Sequence, residues 1–397
     1  MGMNAMLSIA DLQKAAKRRL PAGIYGYVDG ASEDHRTLRA NRSAFERWAF
    51  TPHALVDVSR RSQSTGLFGK TWSMPIGIGP MGVCGVVAYD GDCALARAAA
   101  SAGVPFVLSA ASTTPMERVL RENPDAWYQA YLPANMAVIE PLLQRVRAAG
   151  VGVLVVTVDV PIASTRENEL RNGFSIPLRW TPKLVVSGML KPGWLLGTFA
   201  RTLARQGIPH FENFTAERGG PIIVAQKGDH RAGRAAMSWK EIRAIRDSWK
   251  GKLVVKGILR AEDARTAESI GVDGVFVSNH GGRQLDGAVS TLAVLPEIAA
   301  ATTRAAVIVD GGFRRGTDVI KAMALGADFV FAGRPFMYGL AAGGEAGARH
   351  ALNLLKKEID VDLALLGCPD LAEVDGRYLR DMRAAAASAG RQEQDNV

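Results

Sequence analysis

Nine residues, SNHGGRQLD (278–286), place a histidine, two glycines, an arginine and an aspartate directly after the apolar run GVFV. Other apolar runs end in the same way. LVVTV stops at Thr157 and Asp159, LVV stops at Lys256, and WYQAYL carries Gln129 and Tyr131. Ser109 closes VPFVLS, Pro80-Met81-Gly82 closes MPIGIGPMG, and DGGFRRG (310–316) and AGRP (332–335) end the last two runs. An imidazole next to a carboxylate suits proton removal near neutral pH. Arg283 offers a fork of N–H donors that fits a carboxylate. Asp310, Gly311, Gly312, Arg314, Gly333 and Arg334 combine glycine amides with cations, a phosphate cradle; tight turns with solvated arginines are the plainer reading.

Such residues act together only if one architecture gathers them. Eight short apolar runs alternate with helical patterns: 74–80, 104–109, 127–132, 152–159, 252–257, 274–279, 305–310 and 329–334. Continuous apolar strands between helices imply parallel strands covered on both faces, and eight such units predict an α/β fold, a TIM (β/α)8 barrel. Active sites of this barrel form at the C-terminal strand ends, where the reactive residues lie. Gln129 with Tyr131, Thr157 with Asp159, and Ser278 with His280 each share one strand face. A single domain is expected over 1–385, with residues 1–70 as an N-terminal helical cap. An insertion over 165–237 separates strands four and five, and a frayed tail spans 386–397. GIGPMG (77–82) matches a dinucleotide-binding glycine pattern, but no helix opens on its last glycine, so the match is weak.

SNHGGRQLD, DGGFRRGTD, LVVKG and AGRP together resemble the FMN-dependent L-2-hydroxy acid oxidase/dehydrogenase family, from LPAGIYGYVDGASED (20–34) to LGCPD (366–370). Within it, VDVSRRS, GFRRG and a basic, Trp-containing insertion are most similar to the membrane-associated, mandelate-oxidising branch. The resemblance implies that His280 is the base, Asp159 its partner and Arg283 the main carboxylate clamp. Arg166 becomes a second, more mobile carboxylate contact, and Tyr27 and Tyr131 become substrate-contacting phenols. Lys256 is implied beside the flavin N1/O2 edge. FMN is implied to lie against Pro80, Met81, Gly82, Ser109, Gln129, Thr157, Ser278, the 310–314 loop, Gly333 and Arg334. Gly82 stands where many oxidases of the family carry alanine, and Ala111 where they carry a bulky aromatic. The first implies a quinone acceptor in place of oxygen, the second room for a phenyl substituent. The expected reaction is therefore (S)-mandelate to benzoylformate in a homotetramer. L-lactate dehydrogenase, an oxygen-using oxidase and a non-catalytic flavin-binding barrel are the alternatives.

The net charge of +9 raises nucleic acid as a partner, but its distribution argues against one. Residues 171–240 hold eleven Lys and Arg against three acids (Glu212, Glu217, Asp229). Within them, 177–215 mixes Trp180, Trp194, Phe199 and leucines with Lys183, Lys191, Arg201 and Arg205. That composition suits an interfacial membrane-binding segment, peripheral on the cytoplasmic face of the cell membrane; an active-site cover or a subunit contact is the alternative. The following stretch, 215–237, reads as mobile and placed to close over substrate. Cys84, Cys93 and Cys368 have no metal-ligand spacing, so no metal is expected, and no disulfide framework.

Overall fold

Each of the eight apolar runs forms a strand, and all eight share one parallel sheet in the computed structural model, which describes residues 2–179, 181–224 and 233–384. The strands are β1 (Ile76–Ile78), β2 (Val107–Ser109), β3 (Trp127–Ala130), β4 (Val153–Thr157), β5 (Lys252–Ile258), β6 (Gly274–Val277), β7 (Ala306–Val309) and β8 (Phe329–Ala332). Neighbours in sequence are neighbours in space, β8 pairs with β1, and a parallel bridge from Ile78 to Phe106 closes the ring. The fold is therefore a TIM barrel.

The barrel interior explains why the strand ends are chemical. Val107, Trp127, Val155, Val254, Phe276, Ile308, Phe329 and Phe331 pack into one buried cluster. Each ring removed from water contributes roughly 1.5–3 kcal/mol. Leu67 and Trp72, from the hairpin of Thr65–Leu67 and Lys70–Trp72, join this cluster and plug one end of the barrel. Side chains two residues apart share a strand face. Two residues beyond these plug side chains come Ser109, Gln129, Thr157, Lys256, Ser278, Asp310 and Gly333. Thus the columns that fill the barrel with hydrocarbon emerge at its other end as polar groups. Register keeps them level: Ser109 lies opposite Gln129, and Thr157 opposite Lys256.

The N-terminal segment is helical only in part. Helices Ile9–Arg19, Ala22–Asp29 and Arg36–Ser43 form it, and Ser8 caps the first by accepting from the Asp11 amide. Trp48–Phe50 instead pairs with Leu379–Asp381, and the plugging hairpin follows. The long final helix, Arg334–Leu366, kinks at Gly343 and Gly344.

Between β4 and β5 the chain forms helices Glu167–Arg171 and Pro182–Met189, then a helical run from Pro192 to Gln206 containing a π-helix over Leu195–Ala200. Trp194 does not face outward: it is 9 % exposed, and its indole N–H donates to the Val86 carbonyl at 2.8 Å. Thr198 and Thr202 are buried on the same run, while Leu190 and Leu196 stay exposed. A tryptophan with a good internal acceptor gains more by packing inward than by reaching a surface. Trp180, residues 225–232 and the 386–397 tail lie outside the described residues. Among the described residues no helix is long and apolar enough to cross a membrane, and no acid, His or Cys cluster could hold a metal.

Candidate active site

His280 follows β6 at a left-handed backbone angle, φ +57°, that non-glycine residues rarely adopt. The Ser278 hydroxyl accepts from the His280 amide at 3.1 Å, and the Asn279 side chain accepts from the Gly282 amide. These bonds hold the turn, and the imidazole swings over the barrel mouth. Its Nδ1 lies 3.1 and 3.3 Å from the two Asp159 carboxylate oxygens; its Nε2 lies 3.4 Å from the Tyr131 hydroxyl. With the Nδ1 proton donated to Asp159, Nε2 keeps a lone pair towards the cavity. Burial alone favours a neutral Asp159 acid, but the imidazole and the Lys256 ammonium outweigh it and hold that carboxyl below its usual value of 3.8.

Lys256 donates to the Ser278 hydroxyl and, at 2.5 Å, to Asp310. Its side chain is buried, so these acceptors fix the ammonium at the cavity floor. Arg283 spends both Nη1 donors on the Tyr27 and Gly30 carbonyls, at 2.6 and 3.0 Å, and its guanidinium lies 4.8 Å over the Tyr27 ring. Tyr27 donates to the Gly82 carbonyl at 3.1 Å; burial pushes its pKa up to about 12, and it raises the Tyr131 phenol too. Both remain protonated donors at neutral pH. Arg166, expected to be the more mobile contact, is held by Ser164, the Arg283 carbonyl and Gln284.

A cavity of about 450 Å³ joins these groups. Tyr27, Pro80, Met81, Gly82, Ala111, Tyr131, Thr157, Arg166, Lys256, His280, Arg283, the 310–314 loop, Gly333 and Arg334 all line it. Asp159, Ser109, Gln129 and Ser278 stand behind its wall. Ser109 donates to Gln129 Oε1 at 3.0 Å, and Ser278 braces Lys256 and His280. Residues that the sequence did not single out include Phe174, Phe211 and Phe214, which form an apolar wall, with Glu169 and Arg234. Arg234 lies 4.8 Å over the Tyr131 ring, and Glu169 accepts from Arg283 at 2.8 Å. The only sequence signal for Glu169 is its position three residues after Arg166 on a short helix, an ordinary surface ion-pair spacing.

The site fits an FMN. Gln129 Nε2, Thr157 Oγ1, Asp310 Oδ1 and Arg334 Nε are buried with no hydrogen-bond partner among the described residues. Buried polar groups are rarely left so; Thr157, Asp310 and Arg334 line the cavity with Gln129 behind its wall, and together they ask for a ligand with matching groups. The amide and hydroxyl suit the carbonyl-rich edge of a flavin ring, and Asp310 suits a hydroxylated tail. Burial, together with the Arg283 charge, pushes Arg334 down to about 10, so it remains a cation whose environment calls for an anion. Arg314 lines the same end. Gly312 is needed there: at φ +91°, a Cβ would lie 2.3 Å from the Asn41 carbonyl.

Comparison with known proteins agrees with this geometry. A family model described as FMN-dependent dehydrogenase matches residues 16–381. The chain is 42 % identical over 377 residues to an (S)-mandelate dehydrogenase of Pseudomonas putida, covering 95 % of this chain and 94 % of the relative. It is 39 % identical over 374 residues to an L-lactate dehydrogenase of Pseudomonas aeruginosa, covering 93 % and 97 %. Among solved structures, a monotopic membrane protein (S)-mandelate dehydrogenase superposes with TM-score 0.87 at 41 % identity, over 94 % of this chain and 99 % of that one. A mandelate oxidase variant superposes with TM-score 0.78 at 34 % identity, over 94 % and 98 %.

Proposed function

The chain belongs to the FMN-dependent dehydrogenase family and is a 2-hydroxy acid dehydrogenase; on that premise we propose that it oxidises (S)-mandelate to benzoylformate and passes the electrons to a membrane quinone. The observation that carries the reading is one cavity bounded by the His280–Asp159 pair, by Arg283 and by an aromatic wall. Arg283 and Arg166 take the substrate carboxylate, and Tyr131 faces its oxygens as a donor, while Tyr27, whose O–H is given to the Gly82 carbonyl, forms the wall beside them. His280 Nε2 receives the proton released on oxidation, and Asp159 stabilises the imidazolium that results. Lys256 presents a fixed positive charge at the cavity floor, which stabilises negative charge developing there. Bound FMN, held by Gln129, Thr157, Lys256, Arg314 and Arg334, supplies the two-electron acceptor.

The substituent on the 2-hydroxy acid is read from the walls. Ala111 and Gly82 withhold side-chain volume, while Phe174, Phe211 and Phe214 offer apolar surface. A phenyl ring suits that space better than a methyl group. The lactate dehydrogenase relatives keep L-lactate as the second reading. Incubating the protein with a soluble quinone analogue and each acid, then assaying the 2-oxo acid, decides between them. Benzoylformate formed at higher kcat/KM than pyruvate supports the mandelate reading, and the reverse order selects lactate.

The partner surface is proposed to be a membrane. A relative of solved structure is described as monotopic. Here Val186, Met189, Leu190 and Leu196 are 56–72 % exposed on the insertion, beside Lys183, Arg201 and Arg205. Exposed leucine and methionine among cations suit the head-group region of an anionic bilayer. With Trp194 turned inward, this aliphatic rim, not the indole, makes the contact. We place it on the cytoplasmic face, in a homotetramer.

A further inference from the structure

We propose that Glu169 is a positioning residue: it aims the Arg283 guanidinium so that its remaining donors meet the substrate carboxylate. The inference rests on the reading of Arg283 as the carboxylate clamp. Arginine has five N–H donors. The Tyr27 and Gly30 carbonyls take the two on Nη1, and Glu169 Oε1 takes one on Nη2 at 2.8 Å. Nε–H and one Nη2–H are left for a ligand. Without Glu169, the guanidinium is anchored at Nη1 alone and is free to tilt about that end.

Glu169 is itself well fixed. Its short helix, Glu167–Arg171, is tied to the Tyr27 helix by Asn168, whose amide donates to the Gly26 carbonyl at 2.9 Å. Its carboxylate is 14 % exposed and lies 3.6 Å from Arg166 Nη1 as well. One acid thus stands between two clamp cations that repel each other. Burial, and after it the Arg283 charge, lower the pKa of Arg166, while the Glu169 carboxylate raises it. Glu169 offsets that repulsion and lets both arginines converge on a single carboxylate.

The test uses the FMN-loaded protein and two probes of similar shape: benzoylformate, a carboxylate, and mandelamide, which is neutral. Kd values by calorimetry are compared for the parent, Glu169→Gln and Glu169→Asp. Glu169→Gln should weaken benzoylformate about tenfold while leaving mandelamide within about twofold, the scale of one misdirected charge-assisted hydrogen bond. Glu169→Asp should recover part of the loss, and in Glu169→Gln the KM for (S)-mandelate should rise more than kcat falls. Benzoylformate binding that is unchanged or tighter overturns the proposal, the latter by making Glu169 a competitor for the clamp. Equal weakening of both probes also overturns it, because the role is then general packing. A parent protein that binds neither acid nor amide overturns the functional reading itself, and this role with it.

Discussion

His280 Nδ1 stands 3.1 Å from Asp159 Oδ1, and the opposite ring nitrogen opens on the cavity 3.4 Å from the Tyr131 hydroxyl. The carboxylate therefore sets which nitrogen is free. His280→Ala should retain FMN, whose unpartnered donors lie on other strands, yet reduce the bound cofactor with substrate 10²–10⁴-fold more slowly, roughly the range of a general base. Anaerobic stopped-flow absorbance checks it; an unaltered rate removes His280 from the chemistry.

Asp159 gives a pH prediction. Its folded pKa lies below the usual 3.8, so its contribution to stability is complete above that value and is lost as pH falls through the lower, folded value. The melting-temperature gap between the parent and Asp159→Asn should persist from about pH 8 down to 5 and close only in acid. A gap that closes already near pH 6 contradicts the ionised pairing.

Arg283→Lys should raise KM for the hydroxy acid about tenfold or more. An ammonium cannot serve the Tyr27 and Gly30 carbonyls, Glu169 and a substrate carboxylate together. Steady-state kinetics with a quinone analogue measures it, and near-parent KM places the clamp elsewhere.

Gly82 controls space. A Cβ there would lie 3.0 Å from the Ala111 Cβ and 3.2 Å from the Tyr27 hydroxyl, so Gly82→Ala must displace one of them. The kcat/KM ratio of mandelate to lactate should fall by about tenfold, the lower end of what one methyl group is worth in a fitted pocket. An unchanged ratio means that the phenyl ring lies away from Ala111.

Much of the barrel was legible because continuous apolar strands announce parallel pairing, and a period of two carries the eye from Phe276 to Ser278 and from Val254 to Lys256. The insertion has no comparable period. Glu169, Phe174, Phe211, Phe214 and Arg234 reach the cavity through folding of an irregular segment, so their roles were hidden. The orientation of Trp194 is not legible in sequence for a physical reason: an amphipathic ring suits an interface or an internal acceptor, and the Val86 carbonyl decides which. Ser278, which the resemblance sets against the cofactor, also has a part within the fold that no spacing announces: its hydroxyl accepts from Lys256 and from the His280 amide.

Replacing 182–206 with a short polar loop should abolish co-sedimentation with anionic vesicles and leave cofactor reduction by substrate measurable, since the barrel strands are closed without that segment and the cavity keeps Phe211 and Phe214. Before replacement, binding should weaken with salt and need detergent for full release. Parent protein that stays in the supernatant at low salt makes the segment a cover or a subunit contact.

The central claim is that His280, Arg283 and the aromatic wall act on one (S)-2-hydroxy acid in one cavity. Anaerobic mixing of the flavin-loaded protein with (S)-mandelate, (R)-mandelate and L-lactate, followed at the visible flavin band, tests it most directly. The account predicts fast bleaching with (S)-mandelate, slower bleaching with L-lactate and none with (R)-mandelate. Colour that persists in both (S)-mandelate and L-lactate would contradict it.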